Sequence, residues 1–185
     1  MNIRKEKNME FIVKGKQYIV ISKLGQRKGG YSFLVECEGR QFVLKKYHDE
    51  IDSHNKLSNR IQSEYEAYMF LSSLNLPIPK MYDIDFQQEI IIKEYIEGDS
   101  IYDLVLHDKM KKDYIDQMKE ICKVLYANNT NIDYFPTNFV VRNDVIFYID
   151  YDCNKHMDEW NFENWGIKYW FKTPEFDQYV KQNSR

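Results

Sequence analysis

Asn131-Ile132-Asp133-Tyr134-Phe135-Pro136-Thr137-Asn138 leads into Phe139-Val140-Val141, a turn at Arg142-Asn143-Asp144, and the apolar run Val145-Ile146-Phe147-Tyr148-Ile149, which ends in Asp150. Two apolar runs joined by a short polar turn predict a β-hairpin. Both ends of a hairpin lie on one edge, so Asn138 and Asp150 come close together and near Asp133. A loop carboxylate such as Asp133 can orient and deprotonate a hydroxyl. An amide oxygen and a second carboxylate can hold Mg²⁺ while leaving positions open for phosphate and water. The bland alternative makes Asp133 and Asn138 turn residues and Asp150 a strand-end cap. Asp152 competes with Asp150 for the metal, although it stands two residues beyond the expected strand end.

The upstream sequence offers what such a site needs. Phe11-Ile12-Val13 and Tyr18-Ile19-Val20-Ile21 read as strands around Lys14-Gly15-Lys16. Leu24-Gly25-Gln26-Arg27-Lys28-Gly29-Gly30 predicts a glycine-containing turn, whose backbone N–H groups can approach phosphate oxygens. Tyr31 to Glu36 and Gln41 to Lys45 form the next hairpin, turning at Glu38-Gly39. Lys45 thus stands on the strand returning from the loop, where an ammonium can neutralise phosphates if a carboxylate holds it. The expected helix at 57–74 (Leu57, Ile61, Tyr65, Tyr68, Leu71, Leu74) supplies Glu64 and Glu66, with Glu66 preferred, and Pro77 and Pro79 follow its end. Strands around Lys80–Asp85 and Ile90–Tyr95 precede a linker at Ile96-Glu97-Gly98-Asp99-Ser100. A short helix capped by Asp99 or Ser100 runs to His107, and a longer amphipathic helix from about Asp108 to Asn128. Trp160, Phe162, Trp165, Tyr169, Trp170 and Phe171 are placed on one final helix, packed on the rest or docking a partner protein.

Composition narrows the class. The chain has 185 residues, enough for one domain or two small lobes, and 43% hydrophobic with 16% aromatic residues suffices for a core. Seven Gly and four Pro exclude a long disordered linker. A formal charge of −3 gives no chain-wide nucleic-acid footprint. The apolar runs are too short for a membrane span, and Met1-Asn2-Ile3-Arg4-Lys5-Glu6-Lys7 has no signal-peptide character, so a cytoplasmic protein is expected. Cys37, Cys122 and Cys153, with His48, His54, His107 and His156, have no zinc spacing and read as reduced, mostly buried thiols and ordinary histidines. No Gly-x-Ser-x-Gly occurs.

The order of glycine loop, strand Lys, helix Glu, two strands, linker, helix, Asp-x-x-x-x-Asn, hairpin and Asp resembles the protein-kinase-like fold. It is most similar to the compact RIO-type and KEOPS-complex kinases, with aminoglycoside phosphotransferases and lipopolysaccharide-core kinases as cousins. Glu66-Ala67, Leu76-Pro77-Ile78-Pro79-Lys80-Met81-Tyr82-Asp83-Ile84-Asp85 and Ile91-Ile92-Lys93-Glu94-Tyr95-Ile96-Glu97-Gly98 carry the likeness, which covers about 20–152. It implies an α+β, two-lobed architecture, with an antiparallel-sheet N-lobe at 1–96 and a short, mostly helical C-lobe at 97–185. It also implies an ATP- and Mg²⁺-dependent transfer of phosphate to a hydroxyl.

On this resemblance Asp133 is the catalytic Asp, Lys45 binds phosphates with Glu66 as its partner, and Asn138 and Asp150 hold metal. Gly25, Arg27, Gly29 and Gly30 belong to the phosphate loop, and the backbone from Glu94 through Tyr95 to Ile96 holds adenine. The chain departs from the pattern at Arg27, at Asn131 in place of a His, and at Asp150-Tyr151-Asp152 in place of Asp-Phe-Gly. It has no Ala-Pro-Glu element, and 151–185 is too short for a peptide-docking platform. The acceptor stays open among protein, sugar and lipid. A small-molecule or glycolipid kinase and a catalytically weak nucleotide-binding pseudokinase stand as alternatives.

Overall fold

Alternating apolar residues and tight turns build the first half of the chain. The structure is a computed structural model that describes residues 9–27, 30–47 and 58–183. Lys14 and Gly15, both at positive φ, join β1 (Glu10–Val13) to β2 (Lys16–Arg27). Glu38 and Gly39 do the same between β3 (Gly30–Cys37) and β4 (Arg40–Tyr47). Positive φ at both central residues matches the twist of the flanking strands. Helix α1 (Ser58–Ser73) then crosses to β5 (Met81–Asp85) and β6 (Ile90–Glu94). The result is an α+β fold with a six-stranded antiparallel sheet in the order β1-β2-β3-β4-β6-β5.

The two faces of this sheet are chemically different. Phe33, Val35, Phe42, Leu44, Ile90 and Ile92 point to one face, where they bury Val13 and Tyr18. Tyr47 and Ile91 point to the other and pack on Ile61 of α1, with Met81 and Ile84 beside them. Lys45 shares that second face, its ammonium 5.3 Å from the centre of the Tyr47 ring.

Downstream come β7 (Asp99–Ser100), α2 (Ile101–Leu106), α3 (Lys112–Ala127), β8 (Thr130–Ile132), β9 (Phe139–Arg142), β10 (Val145–Tyr148), β11 (Cys153–Lys155) and α4 (Pro174–Asn183). Ser100, not Asp99, caps α2, its hydroxyl accepting from Asp103 N at 3.1 Å and donating to the Asp103 carboxylate at 2.6 Å. The expected long helix starts at Lys112 rather than Asp108. Asp108 adopts φ +58, and Asp108 N and Lys109 N bond back to Val105 O and Leu104 O. That pattern closes α2 and breaks the chain before α3. Met118, Cys122, Leu125, Tyr134, Phe139, Tyr148, Phe162 and Trp170 fill the core these elements enclose.

The chain divides into two compact units. One takes the described residues of Met1–Ser63 with Lys80–Tyr95, the other Glu64–Pro79 with the described residues of Ile96–Arg185. The division at Tyr95/Ile96 lies one residue from the expected lobe boundary at 96/97. Residues 64–79, expected in the first lobe, cluster with the second unit. There Pro77 O accepts from Tyr148 N at 2.9 Å and Pro79 O from the Tyr151 hydroxyl at 2.8 Å.

The aromatic tail is not one helix. Trp160 and Tyr169 fall on two 3₁₀ turns, Asp158–Trp160 and Gly166–Tyr169, ahead of α4, and Phe162, Trp165, Trp170 and Phe171 lie outside them. Asn161 interrupts any helix, because its carbonyl accepts from both Trp165 N and Gly166 N and its side chain accepts from Asn164 N at 2.8 Å. A Cβ on Gly166 would lie 2.5 Å from Tyr134 Cβ, so the turn packs flush on the core. Phe162 and Trp170 are fully buried, and Trp170 Nε1 donates to Tyr134 O at 2.8 Å, whereas Trp160 and Phe171 are exposed.

The glycine-containing stretch also differs from expectation. Leu24 to Arg27 continue β2, and Gly25 pairs with Ser32 and Arg27 with Gly30, while Lys28 and Gly29 lie outside the described residues. A Cβ on Gly30 would collide with the carbonyl of Lys46 on β4, so the close approach of two strands requires this glycine. A Cβ on Gly25 meets nothing within 4 Å. Gly30→Ala is therefore expected to cost about 1–3 kcal/mol and Gly25→Ala under about 0.5 kcal/mol. Urea denaturation of both variants checks this, and equal costs would contradict the packing role of Gly30.

Candidate active site

The site residues of the second unit gather around one buried hydroxyl. After β8, the Asp133 carboxylate accepts from Phe135 N at 3.1 Å, a turn in which the side chain bonds the backbone two residues on. Pro136 opens a 3₁₀ turn, Pro136–Asn138, closed by Asn138 N to Phe135 O at 2.9 Å. This doubles the chain back, so that the Asn138 amide donates to Asp133 O at 3.3 Å. Asn138 is 1% exposed, which makes it an interior residue rather than a surface turn.

The β9–β10 hairpin, turned by Asn143 and Asp144 at positive φ, returns the chain to the same place. Strand β10 ends at Tyr148, two residues before Asp150, where the apolar run was expected to carry it. One further bond, Ile149 N to Asn138 O at 2.9 Å, extends the pairing and sets Asp150 beside Asn138. The half-buried Asp150 carboxylate accepts from Tyr151 N at 2.9 Å. Strand β11 then pairs antiparallel with β8, Cys153 opposite Ile132.

Tyr148 lies beneath these carboxylates. Its hydroxyl donates to Asp152 O at 2.7 Å and accepts from Asp133 N at 3.4 Å, joining the two loops that bear the acids. Burial first, then the charges of Asp150, Asp133 and Asp152, hold its phenol well above the ordinary tyrosine value. All three carboxylates therefore act on one point.

Asn131, one of the departures from the resembled pattern, is buried. Its amide donates to Met157 O at 2.9 Å, and its oxygen lies 3.0 Å from His156 Nδ1. A histidine thus reaches this place from the far side of β11. Its other ring nitrogen lies 3.0 Å from the Asp158 carboxylate, and its ring meets that of Tyr126 at a tilt of 59°, centroids 4.6 Å apart. Nearby, burial pushes the Cys122 thiol up to about 12, which leaves it protonated and inert. Cys37 is buried and Cys153 half-buried, and all three thiols are free.

In the first unit, register aligns a row across four strands: Gly25 opposite Ser32, Ser32 opposite Lys45, Lys45 opposite Ile91. Neighbouring strands lie about 4.8 Å apart, so Gly25 stands roughly 10 Å from Lys45 along this row. Glu94 N donates to Lys80 O at 2.8 Å, and regular pairing stops before Tyr95 and Ile96. Gly29 lies outside the described residues, and of Arg27 only the backbone is described. On α1, Glu64 is half-buried with one carboxylate oxygen shut off from solvent, whereas Glu66 is exposed.

Among the described residues, no group of three or more His, Cys, Asp or Glu side chains is gathered to hold a metal by itself. An amide oxygen and one carboxylate, as at Asn138 and Asp150, nevertheless fit Mg²⁺. That ion binds through one or two protein oxygens and takes its other ligands from phosphate and water. No described helix is long and apolar enough to cross a membrane.

Sequence reading missed Tyr148, since an aromatic residue inside an apolar strand carries no mark separating it from a core residue. Tyr148→Phe is expected to destabilise the fold by about 0.5–1.5 kcal/mol, because it removes the buried hydroxyl that bonds Asp152 O and Asp133 N. The sign of the pH effect follows from the raised value. The fold keeps this proton where the unfolded chain releases it, so the contribution is whole below pH 10.0 and is lost as pH rises toward the folded value. Thermal melts from pH 7 upward are expected to show a shallower alkaline decline in Tyr148→Phe than in wild type, and identical slopes would contradict the assignment. No protein-family model matches this chain, and no curated protein matches it.

Proposed function

We propose that this chain is an ATP- and Mg²⁺-dependent phosphotransferase of the protein-kinase-like kind, moving a γ-phosphoryl group to an acceptor hydroxyl. The observation that carries the reading is the closeness of Asp133, Asp150 and Asp152 to the Tyr148 hydroxyl, with the Asn138 amide bonded to Asp133 O. In this reading the sheet unit is the nucleotide-binding lobe and the second unit the catalytic lobe.

Asp133 is held through Oδ1, and among the described residues Oδ2 takes no hydrogen bond. Oδ2 is the oxygen assigned to the acceptor hydroxyl. As the new O–P bond forms and the bond to the leaving ADP oxygen breaks, the hydroxyl proton passes to Asp133. Lys45 neutralises phosphate charge, with the row from Gly25 through Ser32 giving an open surface beside it. Burial favours Glu64 over Glu66 as the carboxylate that steadies an ammonium, because exposed ion pairs are weak. Mg²⁺ at Asn138 and Asp150 would supply charge compensation on the phosphates. Catalysis of this type rests on positioning and electrostatics.

Asp133→Ala is expected to abolish phosphoryl transfer while leaving nucleotide binding intact, as read by a transfer assay beside calorimetric titration of ATP with Mg²⁺. Asp150→Asn is expected to weaken that binding. A transfer rate undiminished in Asp133→Ala would sink the assignment of the base.

A further inference from the structure

Most rings of the aromatic tail have a structural task. Phe162 and Trp170 are core, and Tyr169 and Tyr179 both meet the ring of Phe135. Trp160 does not fit that account. It is 52% exposed, and Met157, whose carbonyl accepts from Trp160 N at 3.1 Å, is 49% exposed on the same turn. Large apolar side chains gain when they leave water, so two of them side by side on the surface mark a contact face.

The turn presents Trp160 in a fixed way. Its indole N–H donates to the Glu159 carboxylate at 2.6 Å. The chain behind it is braced by Asn164 Nδ2 to Asp158 O at 2.8 Å and by Trp165 N to Asn161 O at 3.0 Å. The half-buried Trp165 ring meets that of Trp160 at 62°, centroids 5.9 Å apart, so the two do not cover one another face to face. A side chain ordered before its partner arrives loses less entropy on binding.

Charge narrows what that partner is. Asp158, Glu159 and Glu163 are exposed, and no Lys or Arg stands between Lys155 and Lys168. Over the whole chain 26 Lys and Arg nearly balance 29 Asp and Glu, so the acidity here is local. One oxygen of Asp158 lies 3.0 Å from His156 Nε2, yet its side chain is 88% exposed, and a carboxylate accepts several hydrogen bonds. The face of an indole carries negative potential and attracts cations more strongly than other aromatic side chains do. An anionic membrane surface is repelled by these carboxylates, and a purely apolar partner would strip their water without replacing it. A guanidinium answers both features, because it is planar enough to lie on an indole and has five N–H donors for carboxylates.

We propose that Trp160, with Trp165, Asp158 and Glu159, forms a docking surface for an arginine-bearing segment of a partner protein. The surface belongs wholly to the second unit and stands apart from the phosphotransferase reading.

The test titrates the full chain with three end-capped hexapeptides, in which glycine alternates with arginine, lysine or glutamate, and reads tryptophan fluorescence beside calorimetry. The arginine peptide is expected to bind, the lysine peptide to bind about two- to fivefold more weakly, and the glutamate peptide not to bind. Trp160→Leu, which keeps an apolar side chain without a π face, is expected to weaken arginine-peptide binding by about two- to fivefold. Glu159→Gln keeps an acceptor for the indole N–H and removes the charge, and is expected to weaken binding and flatten its dependence on salt. Both residues are exposed, so melting temperatures are expected to match wild type. An arginine peptide that fails to bind, that binds no better than the lysine or glutamate peptide, or that binds both variants as it binds wild type overturns the proposal. So does a fluorescence change with phosphatidylcholine vesicles and none with the arginine peptide, which would assign the face to lipid.

Discussion

A single buried phenol holds the acidic site of the second unit together. The bonds of Tyr148 to Asp152 O and Asp133 N tie the loop after β10 to the loop after β8, beside the three-residue pairing of β8 with β11. Three carboxylates near one another repel, and a backbone that bends to bring them together needs a strong local reason to stay bent. The hydroxyl supplies it on one side. Asn138 supplies it on the other, bonding through its side chain to Asp133 O and through its carbonyl to Ile149 N. The site is thus built from main-chain accounting: buried polar groups must be paired, and pairing them fixes where the acids stand.

The first unit solves a different problem. Apolar residues fill one face of the sheet, and on the other Lys45 and Lys93 stand beside Tyr47 and Ile91, which pack on Ile61. The alternation that hides Leu44 and Ile92 turns Lys45 and Lys93 the other way. A one-residue slip of β4 against β6 would exchange the faces. Register, more than any single contact, fixes the face on which the two cations stand.

Much of this was legible in the residues. The hairpins at Lys14-Gly15, Glu38-Gly39 and Asn143-Asp144 follow from turn chemistry between alternating runs, and α3 follows from its apolar face. The closeness of Asn138 to Asp150 follows from hairpin geometry. Other features were hidden because their causes are non-local. Phe162, Trp165 and Tyr169 have helical spacing, but Asn161 and Gly166 answer to the core beneath them. Leu24 to Arg27 resemble a loop because glycine marks turns, whereas Gly30 is required by the carbonyl of Lys46 on a neighbouring strand. Lys93 reads as the exposed residue of a strand until β6 is found inside the sheet, with β4 and β5 on either side.

The corners of the fold bear on its engineering. Lys14, Glu38 and Glu89 all sit at φ between +47 and +53, a conformation glycine adopts freely and side chains resist. Asn and Asp at the other corners tolerate it better, since their short polar groups bond locally. The three strained residues all belong to the sheet unit. A glycine at any of them would relieve the folded state and loosen the unfolded chain, and the balance of those opposing terms sets the melting temperature. The protein therefore carries a reserve of thermal stability that can be tuned at its corners while its chemistry is left alone.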